Sequence, residues 1–423
     1  MQTLLAGVQY VLDLGPTVIL PLAIFLIAVA FRVKLAEAFA AAITIGIGFV
    51  GINLVISVLT GNIGPAAQAM VKRFDLHLTI IDTGWPSAAA ASFASPVAAI
   101  LLPILLGVNV LLLMVKATKT LDIDIWNYWH FISAGATGYL ITGNWWFSIG
   151  CAILFQVITL YIADKTAPMV QRFYGLQGIS LPTGSTVAFA IIGIPAGWLI
   201  AKIPGLKKVT ADPETIQKRF GIFGEPMIMG LLLGIVIGFL AGYDIGNVFK
   251  LGISMGAVML LMPRMVKILM EGLIPISTAA RDYLRDRFKG RDIYLGLDAA
   301  LAIGHPANIA TGLILVPITL LLAVFLPGNR VLPFGDLATI PFYVAFIVAS
   351  RKGNIIHSVL AGAVVIMAAL LMATNFGTVH TEMMQGIYEF PAGATEVSSL
   401  DMGGNLLNWL ILKLSEGYHS IFQ

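Results

Sequence analysis

The sequence predicts an all-α polytopic membrane protein made of two inverted structural repeats, with broken or re-entrant helices and about ten to eleven spanning segments. Three observations carry this. Of 423 residues, 58% are hydrophobic and only 11% are charged, and the mean hydropathy is +0.91. A soluble domain carries roughly 25% charge, so this chain has too few charges to cover a water-facing surface. The second observation is an internal echo. Pro16 and Pro226, Gly46 and Gly256, and Pro65 and Pro275 each lie 210 residues apart, and Gly143-Asn144 with Ser148 recurs 210 residues on as Gly353-Asn354 with Ser358. The third is that equivalent loops of the two halves differ in positive charge, as halves facing opposite ways should.

Along the chain, nearly charge-free stretches occupy 16–31, 39–59, 97–115, 148–162, 187–201, 227–242 and 309–325. With their flanks, several approach the roughly 20 residues needed to cross a bilayer. The first has no basic leader and no small-residue cleavage site, so it reads as a spanning helix and not as a signal peptide. The sequence divides into a first repeat at 1–165, a linking helix and connector at 166–220, a second repeat at 221–375 and a C-terminal segment at 376–423. The connector holds Lys207, Lys208, Lys218 and Arg219. A second basic stretch has Arg281, Arg285, Arg287, Lys289 and Arg291, against Lys72 and Arg73 at the matching place in the first half. Arg32 and Lys34 in the first turn correspond to Asp244 and Lys250 in the second. These biases put the N-terminus on the outer side and the connector in the cytoplasm; a parallel repeat is the alternative.

Two segments are too polar and too interrupted for a lipid-facing helix. The stretch 78–94 contains Asp82 and Gly84-Trp85-Pro86, and 294–311 contains Asp298 and Gly304-His305-Pro306, an echo shifted to 220 residues. Irregular backbone at membrane depth survives only where protein or a wet cavity satisfies its polar groups. Each is therefore expected to be a re-entrant hairpin or a broken helix, and each brings scarce polar groups into the membrane. The candidate ligand-binding residues are Asp82, Trp85, Ser87, Asn144, Asp298, His305, Asn308 and Asn354. Carboxylates and amides share protons with hydroxyls, and an indole face covers C–H surface, so the set suits a neutral polyhydroxylated ligand. Each also has a plainer reading: the aspartates as helix caps, His305 as a partner for a carbonyl, and the asparagines as turn formers. Glu225 reads as a partner of a helix N-terminus, Trp145 and Trp146 as interfacial aromatics, and Asp336 as a weaker candidate.

Other classes lack their signatures. The sequence has no phosphate-cradling Gly-x-x-x-x-Gly-Lys-Ser/Thr loop and no His-Glu-x-x-His pair. The lone cysteine, Cys151, permits no internal disulfide or cysteine metal cluster, and the net charge of +3 suggests no nucleic-acid partner. No cofactor or metal is expected.

Several stretches together resemble the membrane (IIC) component of the galactitol-type phosphotransferase system over about residues 10–410. They are Ile45-Gly-Ile-Gly-Phe-Val-Gly51, Asp82-Thr-Gly-Trp-Pro86, Asp124-Ile-Trp-Asn127, Phe223-Gly-Glu-Pro226, Met259-Leu-Leu-Met-Pro-Arg264, Gly296-Leu-Asp298, Pro327-Gly-Asn329 and Leu332-Pro-Phe-Gly-Asp-Leu-Ala-Thr339. The resemblance implies a multi-pass subunit of the bacterial cytoplasmic membrane that binds galactitol or a related alditol. A soluble IIB subunit, itself served by IIA and phosphorylated on cysteine, would phosphorylate the bound substrate. The membrane chain would then be no enzyme on its own, and Cys151, hidden in an apolar stretch, would not be the phosphocysteine. More distantly the family resembles the ascorbate-type subunits, which implies a homodimer among membrane lipids, with a scaffold near 16–60 and 227–270 and a moving core around Asp82 and Asp298. Such family members continue past the Trp409 region into a final spanning helix, whereas this sequence stops at Gln423. The competing classes are an ion-coupled secondary transporter of polyols or sugars and a membrane-embedded enzyme.

Overall fold

The computed structural model describes residues 16–30, 32–74, 78–122, 124–206, 225–287, 293–303, 305–385 and 396–422. The expected connector over 207–220, Lys289 and Arg291 of the basic stretch, and Gly304 lie outside the described residues.

The chain opens with helix α1 (Pro16–Ala30) and the 40-residue α2 (Leu35–Phe74), then strand β1 (Ile80–Asp82) and helices α3 (Trp85–Ala94) and α4 (Ala98–Met114). Strand β2 (Thr120–Asp122), a 3-10 turn (Ile125–Asn127), α5 (Tyr128–Thr142), α6 (Trp145–Tyr174), β3 (Ile179–Ser180) and α7 (Gly184–Ile200) follow. Beyond residue 225 come α8 (Pro226–Ala241), the 43-residue α9 (Ile245–Arg287), β4 (Tyr294–Gly296), the short α10 (Ala300–Ile303) and α11 (Pro306–Phe325). The chain ends with β5 (Val331–Leu332), a 3-10 turn (Leu337–Thr339), α12 (Ile340–Ser350), α13 (Ile355–Gln385), β6 (Glu396–Ser398) and α14 (Leu406–Phe422).

The protein is mostly helical and its apolar helices mark it as a membrane protein. Among the described residues, four helices are long and apolar enough to cross a bilayer: α6, α11, α13 and the Leu35–Ile52 part of α2. A fifth span arises if α3 and α4, bent by 98°, are taken together. Gly184–Ile200, Gly230–Ala241, Ile245–Leu261 and Leu337–Ser350 are apolar but shorter. Among the described residues, the helices that qualify by length and composition are thus fewer than the ten or eleven expected, and the further apolar stretches are shorter than a bilayer's thickness. The 78–94 segment is broken as expected. Its helix starts at Gly84-Trp85-Pro86 and gives way at Ser95-Pro96-Val97, just before α4.

The expectation of purely helical structure missed six short strands. They form two three-stranded parallel sheets with orders β5-β1-β6 and β2-β4-β3. Ile80 pairs with Val331 and Glu396, while Leu121 and Ile179 both pair with Leu295. Parallel strands normally run buried on both faces, and Ile80, Ile81, Asp82, Val331, Leu332, Val397 and Ser398 are all buried. Their ladders satisfy backbone that would otherwise be orphaned inside an apolar protein.

Helices α2, α8 and α9 pack as one group with small residues at their contacts. A β-carbon on Gly234 would lie 2.7 Å from Gly252 Cα, and one on Gly272 would lie 2.7 Å from the Ala41 carbonyl oxygen. Such close approach is how helices gain packing energy where lipid removes the usual hydrophobic drive. The second group is built around α5, α6, α7, α12, α13 and α14. Tyr128, Trp129, Phe131, Phe155, Tyr343, Phe346 and Phe376 fill it with almost no exposure.

Candidate functional site

A cavity of about 340 Å³ lies where helix α9 of the first group meets the broken segments and the second group. Val258, Met259 and Lys267 come from α9. Opposite them stand Thr83, Trp85 and Pro86 from the start of α3, and Asp298, Ala300 and Ile303 from the β4–α10 segment. Trp126, Trp129, His130, Thr183, Ser185, Thr339 and Asp401 complete the polar and aromatic wall. Trp85 and Trp126 meet edge to face, with centroids 5.7 Å apart. The lining thus combines indole surface with hydroxyls, two carboxyls and one lysine.

Backbone geometry puts Trp85 and Thr83 there. Gly84 has φ +83°, and a β-carbon on it would lie 2.9 Å from the Gly335 carbonyl carbon. A side chain at Gly335 would in turn overlap Gly84 and Thr83. The two loops cross glycine on glycine, so neither position has room for a side chain. Asp82 holds the crossing. Its Oδ2 accepts the N–H groups of Phe334 (3.0 Å) and Asp336 (2.9 Å), and its Oδ1 those of Gly84 (3.1 Å) and Leu400 (3.4 Å). Asp336 continues the chain of contacts. Its Oδ1 accepts the Trp85 N–H at 2.7 Å, capping the start of α3, and its Oδ2 accepts from Ser399 Oγ (2.7 Å) and the Asp401 N–H (2.9 Å). Both carboxylates are fully buried and are occupied by hydrogen bonds from protein groups, most of them backbone amides.

Of the eight candidates from the sequence, the structure brings Trp85 and Asp298 to the cavity wall. Asp298 is half-buried, and its Oδ1 accepts the Ala300 N–H at 2.6 Å. Asp82 lies behind the wall, as described. Ser87 is buried in α3, donating to the Gly84 carbonyl at 2.7 Å. Asn144 caps α6, its Oδ1 accepting the N–H groups of Trp146 (2.9 Å) and Phe147 (3.2 Å). Asn354 plays the equivalent part before α13, accepting the His357 N–H at 3.1 Å. The glycines before them, Gly143 and Gly353, have φ of +61° and +79°, so the Gly-Asn echo is a helix-stop and helix-start signal. His305 caps α11, its Nδ1 accepting the Ala307 N–H at 3.2 Å, and its ring packs on Phe173 with centroids 4.7 Å apart. Asn308 donates to the Ala302 carbonyl at 2.9 Å and accepts from the Tyr174 hydroxyl at 3.0 Å.

The sequence reading missed Thr83, Trp126, Trp129, His130, Thr183, Ser185, Lys267 and Asp401. His130 and Asp401 carried a readable signal, since an ionisable side chain in an apolar setting is a functional candidate by default. Trp129 and Ser185 carried none, because aromatic and small hydroxyl residues are ordinary in such helices. Chemically, the wall offers stacking surface, acceptors and donors for a small polar molecule, and one of its carboxyls, Asp401, accepts from the Ser185 hydroxyl.

The family model EIIC-GAT, described as PTS system sugar-specific permease component, matches residues 10–393. The galactitol-specific EIIC component of the PTS system from Escherichia coli strain K12 is 40% identical over 406 residues, covering 96% of this chain and 90% of the relative. The same component from Escherichia coli O157:H7 matches with the same identity and coverage.

Proposed function

This chain belongs to the family of sugar-specific permease components of the phosphotransferase system, and from that premise we propose that it carries galactitol or a closely related alditol across the bacterial cytoplasmic membrane. The observation that carries the reading is the cavity wall. Trp85, Trp126 and Trp129 offer faces to the C–H side of an open-chain polyol, while Asp298, Asp401, Thr83 and Thr183 offer partners for its hydroxyls. A volume of about 340 Å³ suits one such molecule. The name and identity of the curated relatives favour galactitol over other ligands of similar polarity.

The phosphoryl group comes from a separate soluble subunit of the IIB kind, phosphorylated on cysteine and recharged by IIA. Cys151 is buried within α6, away from the cavity wall, and is unsuited to that task. Phosphorylation of the bound alditol releases a dianion that does not recross the bilayer, which makes uptake one-way.

The proposed architecture is a pair of inverted repeats. The order long-helix pair, strand, broken helix, strand, 3-10 turn, helix, long helix, strand, helix occurs from 16 to 200 and again from 226 to 422. Matching β1, β2 and β3 with β4, β5 and β6 turns the order β5-β1-β6 into β2-β4-β3, so each sheet has the first strand of one half between the two later strands of the other. A two-fold relation between halves produces that exchange, and the charge asymmetry of the loops favours its lying in the membrane plane. The repeats then extend to α7 and α14, wider than 1–165 and 221–375. On this reading α2, α8 and α9 form a scaffold and homodimer contact, set in lipid, and the remaining helices carry the substrate past it.

Uptake of labelled galactitol into vesicles, with and without the phosphorylated soluble subunit, tests the function. The expected product is internal galactitol phosphate, formed only when the subunit is supplied. Accumulation of free galactitol driven by an ion gradient overturns the reading and favours a secondary transporter.

A further inference from the structure

One polar cluster on the cavity wall has a proton arrangement that goes beyond holding a ligand. His130, on α5, stacks on Trp129 with ring centroids 3.6 Å apart. Its other surroundings include Gly184, where any β-carbon would overlap the imidazole. The ring is therefore held in one place by an aromatic surface and a bare backbone. Ser185 Oγ lies 3.1 Å from His130 Nε2 and donates to Asp401 Oδ2 at 2.8 Å, while Asp401 Oδ1 stands 3.5 Å from the same Nε2. All three residues line the cavity and are at least nine-tenths buried.

The protons of this cluster can be counted. A serine hydroxyl has a single proton. Ser185 spends that proton on Asp401, so its oxygen meets His130 Nε2 as an acceptor. Nε2 must then carry the imidazole proton, and Nδ1 is left as the bare, basic nitrogen. Nδ1 is buried and has no hydrogen-bond partner among the described residues. A buried acceptor without a donor costs free energy that a bound hydroxyl would recover.

We propose that His130 is the general base of phosphoryl transfer at this site, with Asp401 and Ser185 as its positioning residues. The inference rests on the group-translocation reading above and deepens it. The oxygen of one substrate hydroxyl attacks the phosphorus of the donor's phosphocysteine. The O–P bond forms as the S–P bond breaks, sulfur leaves as the cysteine thiolate, and the hydroxyl proton passes to His130 Nδ1. The Asp401 carboxylate stabilises the imidazolium so formed and, through Ser185, holds the reactive tautomer. An acceptor at this place that lacks basicity can still take the hydroxyl's hydrogen bond, so loss of the base is expected in the transfer step and not in binding.

The test uses the full-length protein in lipid with the phosphorylated soluble subunit. Two quantities are read: the Kd for labelled galactitol and the single-turnover rate of galactitol phosphate formation. His130→Gln keeps a polar side chain of similar reach but cannot take a proton. It is expected to leave Kd within about threefold and to slow transfer by about 100-fold or more. Ser185→Ala, a milder change, should slow transfer about tenfold at unchanged Kd, and it carries the test if the first variant fails to fold. A transfer rate within threefold of wild type in both variants overturns the proposal, as does a loss of affinity as large as the loss of rate. Wild-type protein that binds galactitol yet never phosphorylates it brings down the group-translocation reading and this inference with it. Active wild type beside active variants brings down this inference alone.

Discussion

The two parallel sheets use the same backbone plan for different ends. At the end of β1, Asp82 accepts four backbone N–H groups drawn from three separate stretches of chain, and no oxygen is left over for a ligand. Beyond the end of β4, Asp298 accepts the Ala300 N–H, stays half-buried and lines the cavity. Both are carboxylates at or just beyond the end of a short strand and before a broken helix. The first ties loops together and the second faces the place where a polyol would lie. Position in a recurring frame does not decide whether a membrane aspartate is mortar or ligand; the number of backbone amides aimed at it does.

Asp82→Asn is the strongest way to break this comparison. The amide would turn an N–H₂ group toward donors that now meet a carboxylate oxygen, losing charge-assisted bonds inside the protein. The cost is expected at roughly 3 kcal/mol or more. Thermal unfolding in detergent and the yield of membrane-inserted protein should both fall sharply. If Asp82→Asn protein were as stable as wild type but failed to bind galactitol, Asp82 would be a ligand and the contrast would collapse. Asp298→Asn should do the opposite. Its unfolding temperature should stay near wild type, while Kd for galactitol rises roughly 10- to 100-fold with the loss of a charged acceptor. Unchanged affinity would remove Asp298 from the wall.

Part of the site is legible in the sequence. The broken segments were legible because Gly84-Trp85-Pro86 and its echo interrupt apolar sequence, and only a satisfied backbone tolerates that at depth. Membrane class followed from composition alone. The strands were not legible, since two or three residues are too few to produce an alternating pattern. Their aspartates could be found, yet Asp82 and Asp298 could not be told apart, because the amides that saturate Asp82 come from residues 334, 336 and 400, far along the chain. The grouping of Ser185 and Asp401 with His130 was invisible for a related reason. Their closeness to His130 depends on α7 and the turn after β6 meeting α5, which no local pattern records.

A smaller effect sharpens the contrast at the aromatic side of the wall. Trp85 meets Trp126 edge to face, and Trp85→Phe keeps a ring while shrinking the surface offered to a ligand. An affinity loss of about threefold to tenfold is expected, with little change in unfolding temperature. A variant that binds as wild type would limit Trp85 to packing against its neighbour.

The smallest expected effect lies outside the cavity, at Asn144. Its side chain caps α6 through the N–H groups of Trp146 and Phe147, and its amide donates to the Tyr418 hydroxyl at 3.1 Å. Asn144→Ala should therefore cost about 1 kcal/mol of stability, the usual loss on removing an asparagine cap, while galactitol Kd stays at its wild-type value. The paired measurement matters more than either half. Asn144 and Asp298 are both scarce polar groups in an apolar chain, and composition alone ranks them alike. If the amide moved affinity and left stability untouched, hydrogen-bond saturation would no longer separate ligand from framework, and the assignment of Asp82 would have to be reopened with it.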